Sequence, residues 1–506
     1  MSSRRILKAV SIVSLGTVIA RVFGLAREVS TANFFGTTSI YDAFLLAFMI
    51  PNFFRGLLAE GALNAAFIPV FTEYASNEPQ KRREGMEIFN LCFTLSIIAT
   101  SVLFLAVLLA SFISTGLLVE SSKWWRVWVL LRYTFPYLIF ISLTALNMGV
   151  LNVYKSFFLP SLSPVILDLV WIAGLFALLP FFGGGPERKI MVLCMAVLIG
   201  GLGQFLFTLV PVLKKGYRIH LNFRFGHPVI KKMGRLLAPV VVGVAVTPIN
   251  LMVDYSLANL LYAGAVSGLW YSTRIFQLPL GVFAISISTA VLPWLSEDIS
   301  IENHDSFVKN LGFSLKLLCI LLLPFTFGMI IFKTEIVSFL FARGMFSAQS
   351  VSMVASPLAF YSLGLLGYGG ASVWSRAFYA CRDTSTPVKV GVFSILLNFV
   401  LDVVLMKPLG HNGIALATSL VGAMNFILLA ALFNKKHIYL DFRAIVPFFT
   451  KTLAASVAMA AVAYASMHAM EDLFSLPLRL FAGIIIATLV YLVCIGALIS
   501  RQEIKK

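Results

Sequence analysis

The sequence predicts an all-α polytopic membrane protein of about fourteen transmembrane helices. Three observations carry that prediction. Of 506 residues, 59% are hydrophobic and only 12% charged, too few polar groups to cover a water-soluble body of this length. The apolar residues fall in long runs, at 91–113, 165–182, 191–213 and 313–332, each spanning the roughly 20 residues that cross a bilayer core. Mean hydropathy is +0.93, and helices satisfy their own backbone groups in lipid.

Taken in order, the first span follows Arg4, Arg5 and Lys8 and is interrupted by Arg21 and Arg27, on either side of Gly24. No small-residue cleavage site follows, so it reads as a retained helix rather than a signal peptide. The second span opens at Asp42 and breaks at Pro51-Asn52, with Arg55 just beyond. An internal duplication offset by about 225 residues then organises the chain. Ser30-Thr31-Ala32-Asn33-Phe34-Phe35 is echoed by Ser256-Leu257-Ala258-Asn259-Leu260-Leu261, and Ile68-Pro69-Val70-Phe71-Thr72-Glu73 by Leu292-Pro293-Trp294-Leu295-Ser296-Glu297. Six helices separate the repeats, an even number, so both halves run the same way through the membrane. The expected architecture is two six-helix lobes, 1–215 and 236–437, with a parallel repeat around a central cavity. Between them, the basic linker 216–235 reads as a cytoplasmic loop with an interfacial helix. The remainder, 438–506, supplies two nearly charge-free spans at about 446–468 and 476–499, facing lipid or a lipid tail, and a short tail.

The net charge of +17 would suggest nucleic acid in a soluble protein. Here about 24 Lys and Arg fall on one side of the alternating spans and about eight on the other, the positive-inside bias, which puts both termini in the cytoplasm. The basic loops lack the aromatic interleaving that stacks bases, which excludes nucleic acid. The five cysteines lie in or beside apolar spans without paired spacing, the pattern of packing residues rather than of disulfides or zinc.

Charged residues inside spans are costly, about 2.5–3.5 kcal/mol each on insertion scales. Arg21, Arg27, Arg55 and Arg274 all belong to the first two helices of a half. Arg132 and Arg376 read as snorkelling or structural, but four arginines in corresponding helices read as a cationic cavity wall, with Asp42 and Asn52 beside them. A guanidinium binds two phosphate oxygens at once and stays charged, so the cargo should carry phosphate or a similar anion. A second constellation is acidic. Asn398 and Asp402 are one helical turn apart, Asp254 lies in the seventh span and Thr418 in the twelfth. Such oxygens suit a hard cation such as Na⁺, and they equally suit helix–helix hydrogen bonding with one protonated Asp. No phosphate-binding loop, metalloprotease motif or nucleophile elbow is present, so neither ATP hydrolysis nor enzyme chemistry is expected.

Ala20-Arg21-Val22-Phe23-Gly24-Leu25-Ala26-Arg27-Glu28 resembles the N-terminal signature of the MurJ (MviN) lipid II flippases. So do Asp42-Ala43-Phe44, Pro51-Asn52-Phe53-Phe54-Arg55, Ala59-Glu60-Gly61-Ala62, Ala66-Phe67-Ile68-Pro69, Tyr271-Ser272-Thr273-Arg274 and Thr386-Pro387-Val388-Lys389. The resemblance runs from about residue 5 to the end of the chain. It implies a transporter of the multidrug/oligosaccharidyl-lipid/polysaccharide superfamily in a bacterial inner membrane. Its cargo would be lipid II, with Arg21, Arg27, Arg55, Arg274 and Asp42 as substrate residues and Glu60 in a family motif. The last two helices would cradle the polyprenyl tail, and Asp254, Asn398, Asp402 and Thr418 match residues through which some members bind sodium. No other cofactor is expected. The chain should act as a monomer among membrane lipids, with wall-synthesis proteins as candidate partners. Ala20 and Glu28 depart from the Ser and Asp of other members without removing a cavity charge. The alternatives are flippases of other polyprenyl-linked glycans and multidrug exporters; membrane glycosyltransferases and scaffolds are more distant.

Overall fold

A computed structural model of the chain describes residues 3–56, 63–74, 78–120, 122–181, 184–471 and 473–498. Every regular element among them is helical. Two compact units divide at Met252 and Val253, within a single helix.

The first unit holds α1 (Ser3–Phe35), α2 (Ser39–Arg55), α3 (Leu63–Thr72), α4 (Pro79–Leu117), α5 (Lys123–Thr134), α6 (Tyr137–Val153), α7 (Phe158–Ala173), α8 (Pro186–Lys214) and most of α9 (Pro228–Asn259). Helix α1 packs on α7, and α6 and α7 both pack on α8, while α2 lies on α5. Ten consecutive residues of α2, Ile40 to Met49, are buried. That burial suits a short helix held among other helices rather than facing lipid on one side. By contrast α4 exposes Val102, Leu105, Leu109 and Phe112, as a lipid-facing span should.

The second unit holds the end of α9 and then α10 (Ala265–Pro279), α11 (Ile285–Ser300), α12 (His304–Ile331), α13 (Lys333–Phe341), α14 (Ala348–Leu363), α15 (Leu365–Ala380), α16 (Ser385–Leu409), α17 (His411–Lys436), α18 (Val446–Ala469) and α19 (Leu476–Leu498). Helices α18 and α19 pair with each other and lean on α12, at the positions expected for the last two spans. A Cβ on Gly367 would stand 2.6 Å from the backbone nitrogen of Ala423, so α15 and α17 meet backbone to backbone, as small residues allow between membrane helices.

Helix order repeats between the units. The pair α5–α6 bends by 46° and the pair α14–α15 by 45°, one in each unit. The duplicated motifs fall at the ends of α1 and α9, and of α3 and α11. Nine helices are long and apolar enough to cross a membrane, and the two bent pairs bring the number to eleven among the described residues.

The linker divides into a loop and the start of a helix. Residues 216–227 form no helix, and the basic Lys231, Lys232 and Arg235 belong to the first turns of the continuous α9. The cause lies on α4. Buried Asn90 accepts from the His220 amide (2.8 Å) and donates to the Arg218 carbonyl (2.9 Å), and Thr94 accepts from the Asn222 amide (2.9 Å). These side chains take backbone groups that a linker helix would have used itself.

Candidate substrate and cation sites

In the first unit the residues that carry charge sit on α1, α2 and α7. Arg27 is in the penultimate stretch of α1, where its guanidinium donates at 2.8 Å to Asp168 Oδ1 and at 2.8 Å to Glu28 Oε1. The side chains are 16% exposed for Arg27 and 5% for each acid. The guanidinium carbon also lies 5.0 Å from the Trp171 ring centroid. Trp171 Nε1 in turn donates to Thr31 Oγ1 (2.9 Å), one turn beyond Arg27 on α1. Asp168 and Trp171 are three residues apart, so one face of α7 grips one face of α1.

Arg27 is therefore already paired, a finding beyond the cationic wall expected from sequence. Asp168 and Trp171 were not singled out in the sequence, although a signal existed: an acid at 168 interrupts the apolar run 165–182. Arg55 lies at the end of α2 and donates through Nε to Asn52 Oδ1 (2.8 Å), which brings two expected residues together across the Pro51 break. Asp42 is 2% exposed in the first turn of α2, where a carboxylate opposes the positive end of the helix dipole. Arg21 is exposed on α1. Glu60 lies outside the described residues.

Arg274 belongs to the second unit, where its guanidinium carbon stands 4.1 Å over the Trp270 ring of α10. Arg132 has the structural role read from its position: it bonds Ser111 Oγ (2.8 Å) and lies 4.0 Å over the Phe112 ring. Arg376 stacks on Tyr379 at 5.7 Å. One further charge escaped the sequence analysis, Lys316, 3% exposed within α12 and 5.7 Å from the Phe448 ring centroid.

The residues of the acidic constellation meet through hydrogen bonds. Asn398 Nδ2 donates to Asp254 Oδ1 (2.6 Å) and to Asp402 Oδ2 (2.8 Å), and Thr418 Oγ1 donates to Asp254 Oδ2 (3.3 Å). Asp254, Asn398 and Asp402 are each at most 1% exposed. The second carboxylate oxygen of Asp402 is buried with no hydrogen-bond partner among the described residues. Two desolvated carboxylates held together, one with an orphaned oxygen, form a donor set that fits a small hard cation.

An apolar cavity of 460 Å³ opens between α10, α12, α13, α18 and α19, lined among others by Pro279, Pro324, Phe332, Met459, Ala487 and Tyr491. Tyr491 pins α19 to α12 by donating to the Ile320 carbonyl (2.6 Å).

A family model described as lipid II flippase MurJ matches residues 31–482. The probable lipid II flippase MurJ of Vibrio cholerae is 34% identical over 442 residues, covering 84% of this chain and 82% of its own length. The lipid II flippase MurJ of Burkholderia cenocepacia is 31% identical over 464 residues, with 90% and 88% covered. Among solved structures, a lipid II flippase MurJ in an inward closed conformation matches with a TM-score of 0.79 at 28% identity, over 96% of this chain and 98% of that one. An inward-facing MATE transporter of the MOP superfamily shares the fold at a TM-score of 0.65 and 14% identity, over 85% and 99%. By sequence and fold alike, this chain belongs to the MurJ family of lipid II flippases.

Proposed function

We propose that this chain moves lipid II from the cytoplasmic to the periplasmic leaflet of a bacterial inner membrane by alternating access. The observation that carries the proposal is the arginine set. Arg21, Arg27, Arg55 and Arg274 stand at family motif positions in a chain that is only 12% charged, and Arg27 is held at a membrane helix by two carboxylates. The pyrophosphate of the head group pairs with guanidinium groups. The polyprenyl tail stays in lipid and rests in the groove of α18 and α19. Counting α1, α2 with α3, and α9 as spans, and α10 with α11 as one, gives fourteen. Two six-helix lobes then enclose the central cavity, and positive-inside charge places both termini in the cytoplasm. The cargo drives closure only by binding the closed or outward state better than the inward one. Moving an anion outward from a negative interior gains about 2.3 kcal/mol per charge per 100 mV.

Asp254, Asn398, Asp402 and Thr418 would hold a sodium ion, which supplies positive charge between two carboxylates that otherwise repel. Asn398 orients both acids, and the surrounding burial excludes water from them. The unit of action is a monomer, with wall-synthesis proteins as its neighbours in the membrane.

The test is complementation of cells depleted of their own flippase by variants with each of Arg21, Arg27, Arg55 and Arg274 replaced by Ala. The proposal expects loss of growth at normal protein level. Growth sustained by all four variants would overturn it.

A further inference from the structure

The two terminal nitrogens of Arg27 are both committed, one to Asp168 and one to Glu28. A guanidinium presents its donors in a flat fork, and two parallel bonds to one phosphate need an edge of that fork to be free. Three of the five N–H donors of Arg27 remain, but its single positive charge is already shared between two carboxylates, so an arriving pyrophosphate competes with them for it. Something must give, and the geometry says which side. Glu28 is the next residue on the same helix and moves with Arg27. Asp168 sits on α7, 141 residues away. Its other oxygen, Oδ2, faces the bare backbone of Gly24, 3.8 Å from where a Cβ would stand. Asp168 is 4% exposed and packed beside Trp171, so it stays put when the guanidinium swings.

We infer that Asp168 is an internal counter-anion for Arg27, a positioning residue that competes with the cargo's pyrophosphate for the guanidinium and so sets both affinity and release. The inference rests on the proposed function, in which Arg27 meets pyrophosphate. With no cargo, Asp168 and Glu28 keep a membrane arginine neutralised and its rotamer fixed. When cargo binds, phosphate oxygens replace the Asp168 oxygen on one edge of the fork. Asp168 is then left short of its cation, beside Glu28 and the bound phosphate. Their repulsion favours return of Arg27, which expels the cargo after the cavity has turned outward. No proton or electron transfer is needed, only exchange of one ion-pair partner for another.

The design trades affinity for turnover. Asp168→Asn keeps the shape and one oxygen for Arg27 but removes the competing charge. It should bind a polyprenyl pyrophosphate about tenfold more tightly, in the range of ordinary coupling energies, while moving less cargo per unit time. A merely structural Asp168 gives the opposite sign, because loosening α7 from α1 weakens binding. Glu28→Gln should shift affinity the same way and stands in where Asp168→Asn yields no folded protein. Asp168→Glu should restore wild-type affinity in part.

The experiment titrates the full-length protein in detergent with farnesyl pyrophosphate and compares wild type, Asp168→Asn, Glu28→Gln and Arg27→Ala. Tighter binding by the two acid variants, with binding lost in Arg27→Ala, supports the inference. Unchanged or weaker binding by both acid variants, with Arg27→Ala still losing binding, overturns it while leaving the proposed function intact. Equal binding by Arg27→Ala and wild type, or no binding by wild type, removes Arg27 as a pyrophosphate ligand and overturns the inference together with the reading beneath it.

Discussion

The two acidic clusters use one plan and differ in what closes it. In the first unit Glu28, near the end of α1, and Asp168, on α7, are bridged by the guanidinium of Arg27. In the second, Asp254, near the end of α9, and Asp402, on α16, are bridged by the neutral amide of Asn398. Glu28 and Asp254 stand at the offset of the internal repeat, about 225 residues. One pair of carboxylates therefore carries its own cation, while the other is left with an orphaned oxygen. The two halves thus differ at these positions by side chain: a guanidinium closes the first cluster and a neutral amide the second.

The largest effect expected from breaking this contrast is at Arg27. Arg27→Ala removes the exchanging group, so transport should be lost, and it strands two carboxylates, which should also cost about 3–5 kcal/mol of stability. Flux assays in vesicles would measure it, and residual flux near wild type would dissolve the contrast. Packing gives the next effect. Gly367→Ala drives a Cβ against the backbone of Gly422 and Ala423, whereas Gly200→Ala, in the first unit, meets the movable Cδ1 of Leu167 at 2.6 Å. The former should cost about 1–3 kcal/mol and the latter less, read as thermal midpoints in detergent.

Sodium should raise the wild-type melting temperature by about 2–4 °C over choline at equal ionic strength. The rise should vanish in Asp402→Asn and persist in Asp168→Asn. A rise that vanishes in Asp168→Asn instead would reverse the assignment of the two clusters. The smallest effect lies in the turn between α15 and α16. Burial acts to raise the Asp383 carboxyl, but the Thr386 hydroxyl and amide, His437 and Lys436 outweigh it and hold it at about 2. A depressed carboxyl stabilises the fold above its ordinary range, near pH 4, and loses that contribution as pH falls toward 2. Asp383→Asn should thus lower the melting temperature by about 1–2 °C uniformly between pH 5 and 8, with the gap closing only in strong acid.

Much of this was legible in the sequence because membrane spans are written locally. The bounds read for the last two spans, 446–468 and 476–499, fall within a residue or two of α18 and α19, since a run of apolar residues needs no partner to declare itself. The Asn398–Asp402 contact follows from a four-residue step on one helix. What stayed hidden depends on distant partners. Asp168 meets Arg27 across 141 residues, and no spacing rule reaches that far. The linker reads as a loop with an interfacial helix, yet which part stays a loop is decided by Asn90 and Thr94 on α4, which claim the backbone of His220 and Asn222. The bend between α14 and α15 likewise arises where Gly364 meets Ser419, whose hydroxyl also bonds the Phe360 carbonyl (2.7 Å).

The central claim is that Arg27 carries the pyrophosphate of lipid II across the membrane. Its most direct test is the accessibility of lipid II head groups at the outer leaflet of cells that rely on this chain alone, wild type against Arg27→Ala at matched protein levels. The account predicts exposed lipid II with the wild type and its loss with the variant. Equal exposure in both would contradict it, and would send the cargo search to other glycan-linked lipids.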